Sequence, residues 1–342
     1  MPAFTILTTP FLGDGYPLER EALAGLDAEF VEVPANEDAF VEAAPRADAI
    51  YGKGLKITRR ILDAATKCRV VALGSVGVDQ VDVLAATERG IPVTNIPDTF
   101  IEEVADHTMT LLLAGWRRLP VQERLVRDGR WKEGRPHLYG FPRLRGQTLG
   151  FISFGRIPRA VAERAKPFGF RMIAYDPYIE EFASLPYGVE LMPLDDVLAQ
   201  SDFVCMHAPG TPETGGLFGA DQFAKMKDTA IFVNTGRGQT VDEGALIAAL
   251  QGRRIAGAAL DVLEQEPPAP DNPLLAMENV ILTAHVASAS SRFDPARKRR
   301  VGQELALVLK GRWPMSAVNP ESLAKSPLQR WQPVSILRGP NS

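Results

Sequence analysis

The chain has 342 residues, 45% of them apolar and 23% charged, which is enough for two domains with cores of their own. A formal charge of −4 gives it no general attraction to nucleic acid or to an anionic membrane. Its two cysteines, Cys68 and Cys205, lie in apolar runs and predict buried free thiols, with neither a disulfide framework nor a metal site. No apolar run approaches the roughly 18 residues of a membrane span. The N-terminal stretch lacks the basic and long apolar parts of a signal peptide, so a cytoplasmic protein is expected.

Strand patterns come first at Phe4–Thr8, Phe30–Val33, Ala49–Tyr51, Val70–Leu73 and Val93–Asn95. A long helix is predicted over Glu102–Leu119, capped within Asp98-Thr-Phe-Ile and stopped by Pro120. It is apolar along Val104, Met109, Leu112, Leu113 and Trp116, as a helix bridging two domains would be. A second series of strands follows at Thr148–Ser153, Arg171–Tyr175, Asp202–His207, Ala230–Asn234, Gly257–Val262 and Val280–Thr283. Short apolar runs alternating with amphipathic helices predict parallel sheets with crossover helices, and the second series matches a doubly wound dinucleotide-binding domain. A helix over Pro295–Leu309 returns the chain to the first domain. Within it, Arg297-Lys-Arg-Arg300 reads as a solvated or interface face and not as a nucleic-acid site. From Pro320 onward the chain is rich in Pro and Ser and is expected to be a loosely packed tail.

The segment Ser153-Phe-Gly-Arg-Ile-Pro158 stands between a strand and a helix, where a G-x-G-x-x-G fingerprint belongs. Only the middle glycine, Gly155, is present; Ser153 takes the first place and Pro158 the third. The middle glycine lets backbone approach a pyrophosphate, the first makes the turn, and the third permits close helix–strand packing. Proline is tolerated in a first helical turn but removes one N–H that could bind phosphate. Asp176 ends the next strand, about 20 residues beyond Gly155, where a carboxylate hydrogen-bonds a ribose diol and repels a 2′-phosphate. The expected cofactor is therefore NAD.

Three further phrases carry chemistry: Val233-Asn-Thr-Gly-Arg-Gly238, Leu260-Asp-Val-Leu-Glu-Gln-Glu-Pro267 and Leu282-Thr-Ala-His285. Each places a polar residue at or just past a strand end. Arg237 is a permanent, forked cation suited to a carboxylate. His285 is a candidate proton donor and acceptor, and Glu266 would orient its ring and favour the imidazolium form. Singly, each residue could be an ordinary polar side chain; together they suit reduction of a 2-oxo acid.

In order along the chain, these phrases resemble the D-isomer-specific 2-hydroxyacid dehydrogenases, the group containing phosphoglycerate dehydrogenase and hydroxypyruvate reductase. Gly74-Ser-Val-Gly-Val-Asp79, Asn95-Ile-Pro-Asp98, Glu102-Glu-Val-Ala-Asp-His107 and His207-Ala-Pro-Gly-Thr-Pro-Glu-Thr214 share in the resemblance. Leu144–Tyr178 and Glu264-Gln-Glu-Pro-Pro268 are similar to the branch that includes the C-terminal-binding-protein corepressors.

The resemblance implies an α/β protein of two doubly wound parallel-sheet domains. A Rossmann nucleotide-binding domain, 102–290, would be inserted into a flavodoxin-like substrate domain, 1–101 and 291–342, with the active site in the cleft between them. It implies cofactor contacts from Gly155, Arg156, Ile157, Asp176, His207, Thr235, Gly236 and Asp261, the last at the nicotinamide carboxamide. It also implies a second carboxylate cradle in the backbone of Ser75, Val76 and Gly77, with Lys53 reaching the substrate. A homodimer would form through the nucleotide domain, with Arg117–Tyr139 resembling the segment that embraces the partner. His107 would face the cofactor or the cleft; His137 has no assigned role. Ala284 and His285-Val-Ala-Ser288 depart from common family wording, which bears on the substrate side chain and not on proton transfer. The alternative to an NAD-dependent oxidoreductase is an NAD-responsive dimeric scaffold of the corepressor kind.

Overall fold

A computed structural model describes residues 2–10 and 15–330. By its contacts the chain divides into two compact units, 1–99 with 291–342, and 100–290.

The first unit holds a five-stranded parallel sheet of β1 (Phe4–Thr8), β2 (Ala28–Glu32), β3 (Ala49–Gly52), β4 (Val71–Leu73) and β5 (Val93–Thr94), in the order β2-β1-β3-β4-β5. This is the flavodoxin-like order, with its reversal between β1 and β3. Neighbouring strand residues face opposite sides. Leu7, Ile50 and Val71 pack with Phe40 and Ile61 on one face, while Ile6, Tyr51 and Ala72 pack with Val301 and Leu305 on the other. The strand expected over Phe30–Val33 lies two residues earlier, because β2 pairs with β1 from Phe4↔Ala28 to Thr8↔Glu32.

The second unit holds seven parallel strands: β6 (Thr148–Ile152), β7 (Arg171–Tyr175), β8 (Val189–Leu191), β9 (Phe203–Met206), β10 (Ile231–Asn234), β11 (Gly257–Leu260) and β12 (Val280–Leu282). Their order, β12-β11-β10-β9-β6-β7-β8, is the Rossmann arrangement with one added strand, and it reverses between β6 and β9. Leu149, Phe151, Val161, Leu112 and Trp116 form one core layer; Ile152, Ile173, Val204, Phe232 and Leu246 form the other. The seventh strand, β8, escaped the sequence reading because it has three residues with Glu190 at its centre. Pairing with Met172–Ala174 of β7 makes it a strand.

The long helix spans Ile101–Trp116, with Phe100 at its N-cap and no side-chain cap. Asp98, expected within the cap, instead lies 3.5 Å from Arg300 Nη1. Nor does Pro120 stop this helix: a left-handed Arg118 breaks it, and Pro120 sits in the first turn of the next helix, Leu119–Arg127.

Of the cationic run at 297–300, expected on a solvated or interface face, the Arg299 side chain is 51% exposed while its neighbours differ. On the helix Phe293–Leu309, the side chains of Arg297 and Lys298 are 13% and 8% exposed. The segment from Pro320 is not loose at its start. A short 3₁₀ helix, Pro320–Lys325, buries Ser322 and Leu323. The Asn319 side chain accepts a bond from Val93 N–H and donates to Ile91 O. Residues 331–342 of that predicted tail lie outside the described residues.

Cys68 and Cys205 are buried free thiols, and burial pushes the Cys68 thiol up to about 12. Among the described residues, no helix is long and apolar enough to cross a membrane, and no group of three His, Cys, Asp or Glu could hold a metal ion.

Candidate active site and dinucleotide loop

His285 lies beyond β12, and its Nδ1 is 2.7 Å from Glu266 Oε2. The other carboxylate oxygen, Oε1, accepts the N–H of Leu263 at 3.1 Å, so Glu266 is tied to its own loop while it faces the ring. The two side chains are 49% and 37% exposed. At such exposure an ion pair contributes little stability, so the contact chiefly orients the imidazole.

The backbone at His285 is left-handed, with φ 52°. For a non-glycine residue that costs about 1–2 kcal/mol and persists only where its surroundings over-determine it. Asp261, only 2% exposed, supplies those surroundings. Its backbone carbonyl accepts the His285 N–H at 2.9 Å. Its Oδ1 accepts the Thr283 hydroxyl at 2.6 Å and the Val286 N–H at 2.9 Å, and its Oδ2 accepts the Ala287 N–H at 2.9 Å. The Thr283 hydroxyl in turn lies 3.0 Å from His107 Nε2. The carboxylate of Asp261, a residue expected at the nicotinamide, thus fastens the loop that carries His285. Thr283 was missed from the sequence, although its place two residues before His285 marks it as a residue of that loop.

Arg237 follows β10 in a loop held by its own polar groups. Asn234 Oδ1 accepts the Gly236 N–H at 2.9 Å, and the Arg237 carbonyl accepts bonds from Asn234 Nδ2 and the Thr240 hydroxyl. At Gly238 a β-carbon would fall 1.8 Å from Leu263 O. The Arg237 loop therefore rests, backbone on backbone, against the loop that leads to Glu266.

The departures in the glycine loop are accommodated. Ser153 adopts φ 71°, the conformation a glycine takes easily, and its hydroxyl donates to Asp176 Oδ2 at 3.2 Å. Pro158 is buried in the first turn of the helix Arg156–Ala165, which runs on past it unbroken. Gly155 is the N-cap, and a β-carbon there would meet nothing within 4 Å. The first-turn N–H groups of Arg156 and Ile157 have no acceptor within their own helix. Ser153→Gly is expected to change stability by no more than about 1 kcal/mol, because the relieved strain and the lost bond to a carboxylate are of similar size. NADH affinity should stay within about threefold, since the serine offers phosphate no donor that the helix lacks. Thermal melts and NADH fluorescence titration check both.

Asp176 directly follows β7, with Oδ2 accepting Phe154 N–H at 2.8 Å and Oδ1 accepting Tyr178 N–H at 2.9 Å. These bonds hold an acceptor carboxylate beside the loop. His207, just past β9, has an Nε2 with no hydrogen-bond partner among the described residues. Burial presses its imidazole down to about 3, so the ring is neutral. A helix N-terminus, a fixed carboxylate and a buried ring nitrogen without a partner among the described residues stand at the strand ends around the β6/β9 switch point, and the first two suit a dinucleotide. The buried Thr235 hydroxyl lies 2.8 Å from that of Thr108. At its neighbour Gly236 a β-carbon would fall 3.2 Å from both Met206 O and Ala208 O.

In the first unit, the turn Ser75-Val-Gly77 has all three carbonyls engaged, by Ile96 N–H, Asn95 Nδ2 and the Ser75 hydroxyl. That fixes the peptide planes whose N–H groups the sequence singled out. Lys53 stands in the loop just after β3.

A Rossmann sheet with a loop of this form defines the second unit as a dinucleotide-binding domain of an oxidoreductase. Residues 109–287 match the family model described as D-isomer specific 2-hydroxyacid dehydrogenase, NAD binding domain. The chain is 42% identical to a glyoxylate reductase of Korarchaeum cryptofilum, over 86% of this chain and 90% of that protein. It is 36% identical to a D-3-phosphoglycerate dehydrogenase of Archaeoglobus fulgidus over 94% of this chain, but it spans only 61% of that relative's length. An NADPH-dependent glyoxylate/hydroxypyruvate reductase of Sinorhizobium meliloti, solved with NADP and malonate, is similar in structure with a TM-score of 0.79. Its sequence identity is 35%, over 96% of this chain and 98% of that one. The chain belongs to the D-isomer specific 2-hydroxyacid dehydrogenase family.

Proposed function

We propose that the protein reduces small 2-oxo acids to D-2-hydroxy acids with NADH, using His285 as the acid, Glu266 as its orienting partner and Arg237 as the carboxylate grip. The 2.7 Å contact between His285 Nδ1 and Glu266 carries this reading, because it leaves Nε2 as the ring nitrogen available to substrate. When bound, the dinucleotide supplies the hydride. His285 Nε2–H gives its proton to the oxygen on which negative charge develops, and it takes the proton back in the oxidative direction. Glu266 balances the charge on the ring in its protonated form and fixes the tautomer. Arg237 holds the substrate carboxylate through its forked N–H groups and draws electron density from the carbonyl. On the first unit, the N–H groups of the Ser75–Gly77 turn and Lys53 are the proposed anion contacts.

NAD is the preferred dinucleotide in this reading, since the fixed Asp176 carboxylate would face the 2′-phosphate of NADP. In Asp176→Asn the ratio of NADPH to NADH dissociation constants is expected to fall about tenfold, as a like-charge clash is removed. Fluorescence titration measures it, and an unchanged ratio removes Asp176 from the selection. The solvent-exposed Leu119, Val126, Trp131 and Tyr139, all within the segment expected to embrace a partner, support a homodimer. Light scattering behind size exclusion tests it. The two free thiols support a reducing, cytoplasmic location.

The decisive assay follows loss of NADH absorbance with glyoxylate, hydroxypyruvate and longer 2-oxo acids. Turnover with any of them supports the reading. NADH binding without turnover across the panel would instead favour the scaffold.

A further inference from the structure

Two consecutive residues of the long helix, His107 and Thr108, reach the two loops that carry Arg237 and His285. All of the residues concerned belong to the second unit. The helix gives them a fixed base. Its Ala105, Met109 and Leu112 lie in one buried layer with Val233 of β10 and Ala259 of β11, the strands that lead into the loops of Arg237 and Asp261.

Counting protons sets the direction of each bond. A hydroxyl has one proton to give, and an ionised carboxylate only accepts. The Thr283 hydroxyl donates to Asp261 Oδ1 at 2.6 Å, so in its 3.0 Å contact with His107 Nε2 it is the acceptor. His107 therefore carries a proton on Nε2. By the same argument, the Thr108 hydroxyl donates to Val104 O at 2.8 Å and accepts from the Thr235 hydroxyl. One helix residue thus supports the His285 loop through Thr283, and the next supports the Arg237 loop through Thr235.

The support that His107 gives goes to a buried charge. The Asp261 side chain is 1% exposed, and among the described residues His107 is the one basic side chain within 4 Å of its carboxylate, with Nε2 3.4 Å from Oδ1. A buried carboxylate is costly unless it is bonded and balanced. This same carboxylate accepts the N–H groups of Val286 and Ala287, and so holds the left-handed backbone of His285. Thr108 is fully buried, so no water replaces it as the partner of Thr235.

We propose that His107 and Thr108 are positioning residues for the reduction. His107 sets the acid, through Thr283 and Asp261, and Thr108 sets the carboxylate grip, through Thr235. The inference rests on the oxidoreductase reading above and adds to it two residues that act through others.

The test compares His107→Leu and Thr108→Val with the wild type, in kcat and KM for the 2-oxo acid of the panel that turns over fastest. It also follows backbone amide exchange of each protein without cofactor. Thermal melts verify folding, and His107→Ala or Thr108→Ala is read in place of a variant that does not fold. His107→Leu should lower kcat about tenfold or more and leave KM for the acid within about threefold, because the proton donor is displaced and the grip is not. Amides over 283–287 should exchange faster, and those over 235–238 should not. Thr108→Val should do the reverse, raising KM about tenfold with a smaller change in kcat and speeding exchange over 235–238. His107→Gln keeps an N–H donor and Thr108→Ser keeps the hydroxyl, so each should recover most of the loss. A folded His107→Leu with wild-type kcat and unchanged exchange over 283–287 overturns the inference and leaves the enzyme reading intact. Equal damage in both variants, with no recovery by glutamine or serine, overturns it too, since that is the signature of a generally loosened helix. A wild type that reduces none of the acids overturns the enzyme reading and this inference with it.

Discussion

His285→Asn is expected to lower kcat/KM for 2-oxo acid reduction by about a hundred- to ten-thousand-fold, the range lost with a positioned general acid. Asparagine is the cleaner replacement than alanine here. The backbone at this position has φ 52°, and asparagine tolerates the left-handed region while most residues do not. The side chain is half exposed, so its removal opens no cavity and the melting temperature should move little. The Asp261 bonds to Thr283, Val286 and Ala287 remain in the variant and keep the loop in place. NADH binding should persist, which separates lost proton transfer from lost cofactor. Glu266→Gln should cost less, about ten- to a thousand-fold: an amide can still bond the ring but does not balance a charge on it. A His285→Asn enzyme that reduces glyoxylate within about threefold of the wild-type rate would remove the histidine from the chemistry.

The parts of the fold that could be read from sequence are those buried on both faces. Strands such as Phe203–Met206 and Ile231–Asn234 are continuous apolar runs because helices cover both sides of a parallel sheet, and their ends fell close to where they were expected. What escaped was decided by partners distant in sequence. β8 is a strand because β7 offers it a ladder, and the end of the long helix is set by the φ of Arg118, which no residue preference announces.

Arg297-Lys-Arg-Arg300 read as a solvated or interface face because a run of cations usually is one, and the sequence did not say which of its members are covered. Asp294, three and four residues ahead of Arg297 and Lys298, was the readable hint of a paired, less exposed face. At the site, Arg237, Glu266 and His285 could be picked out because each sits in a short phrase at a strand end. The role of Asp261 could not be read, since it depends on three bonds to residues 22 to 26 positions away.

Gly238→Ala is expected to damage both stability and turnover. It should do so without touching any residue assigned a chemical role. The added β-carbon would lie 1.8 Å from Leu263 O, 2.0 Å from Leu263 C and 2.6 Å from Glu264 N. All three are backbone atoms, so no rotamer change relieves the overlap, and one of the two loops must move. Overpacking of this kind costs about 1–3 kcal/mol, which a thermal melt resolves. The catalytic cost should be larger than that number suggests. Arg237 immediately precedes Gly238, and Glu266 takes the Leu263 N–H on the very segment that would be displaced. A shift of about 1 Å at positioning groups can cost about a hundredfold, so kcat/KM should fall at least that far.

Gly215→Ala is the control, because its β-carbon would make only ordinary contacts of 3.6 Å and beyond, and it should leave both readouts near wild type. A Gly238→Ala protein as stable and as active as the wild type would show that the two loops are not locked together. The orientation of Glu266 would then have to come from its own loop alone, through the single bond from Leu263.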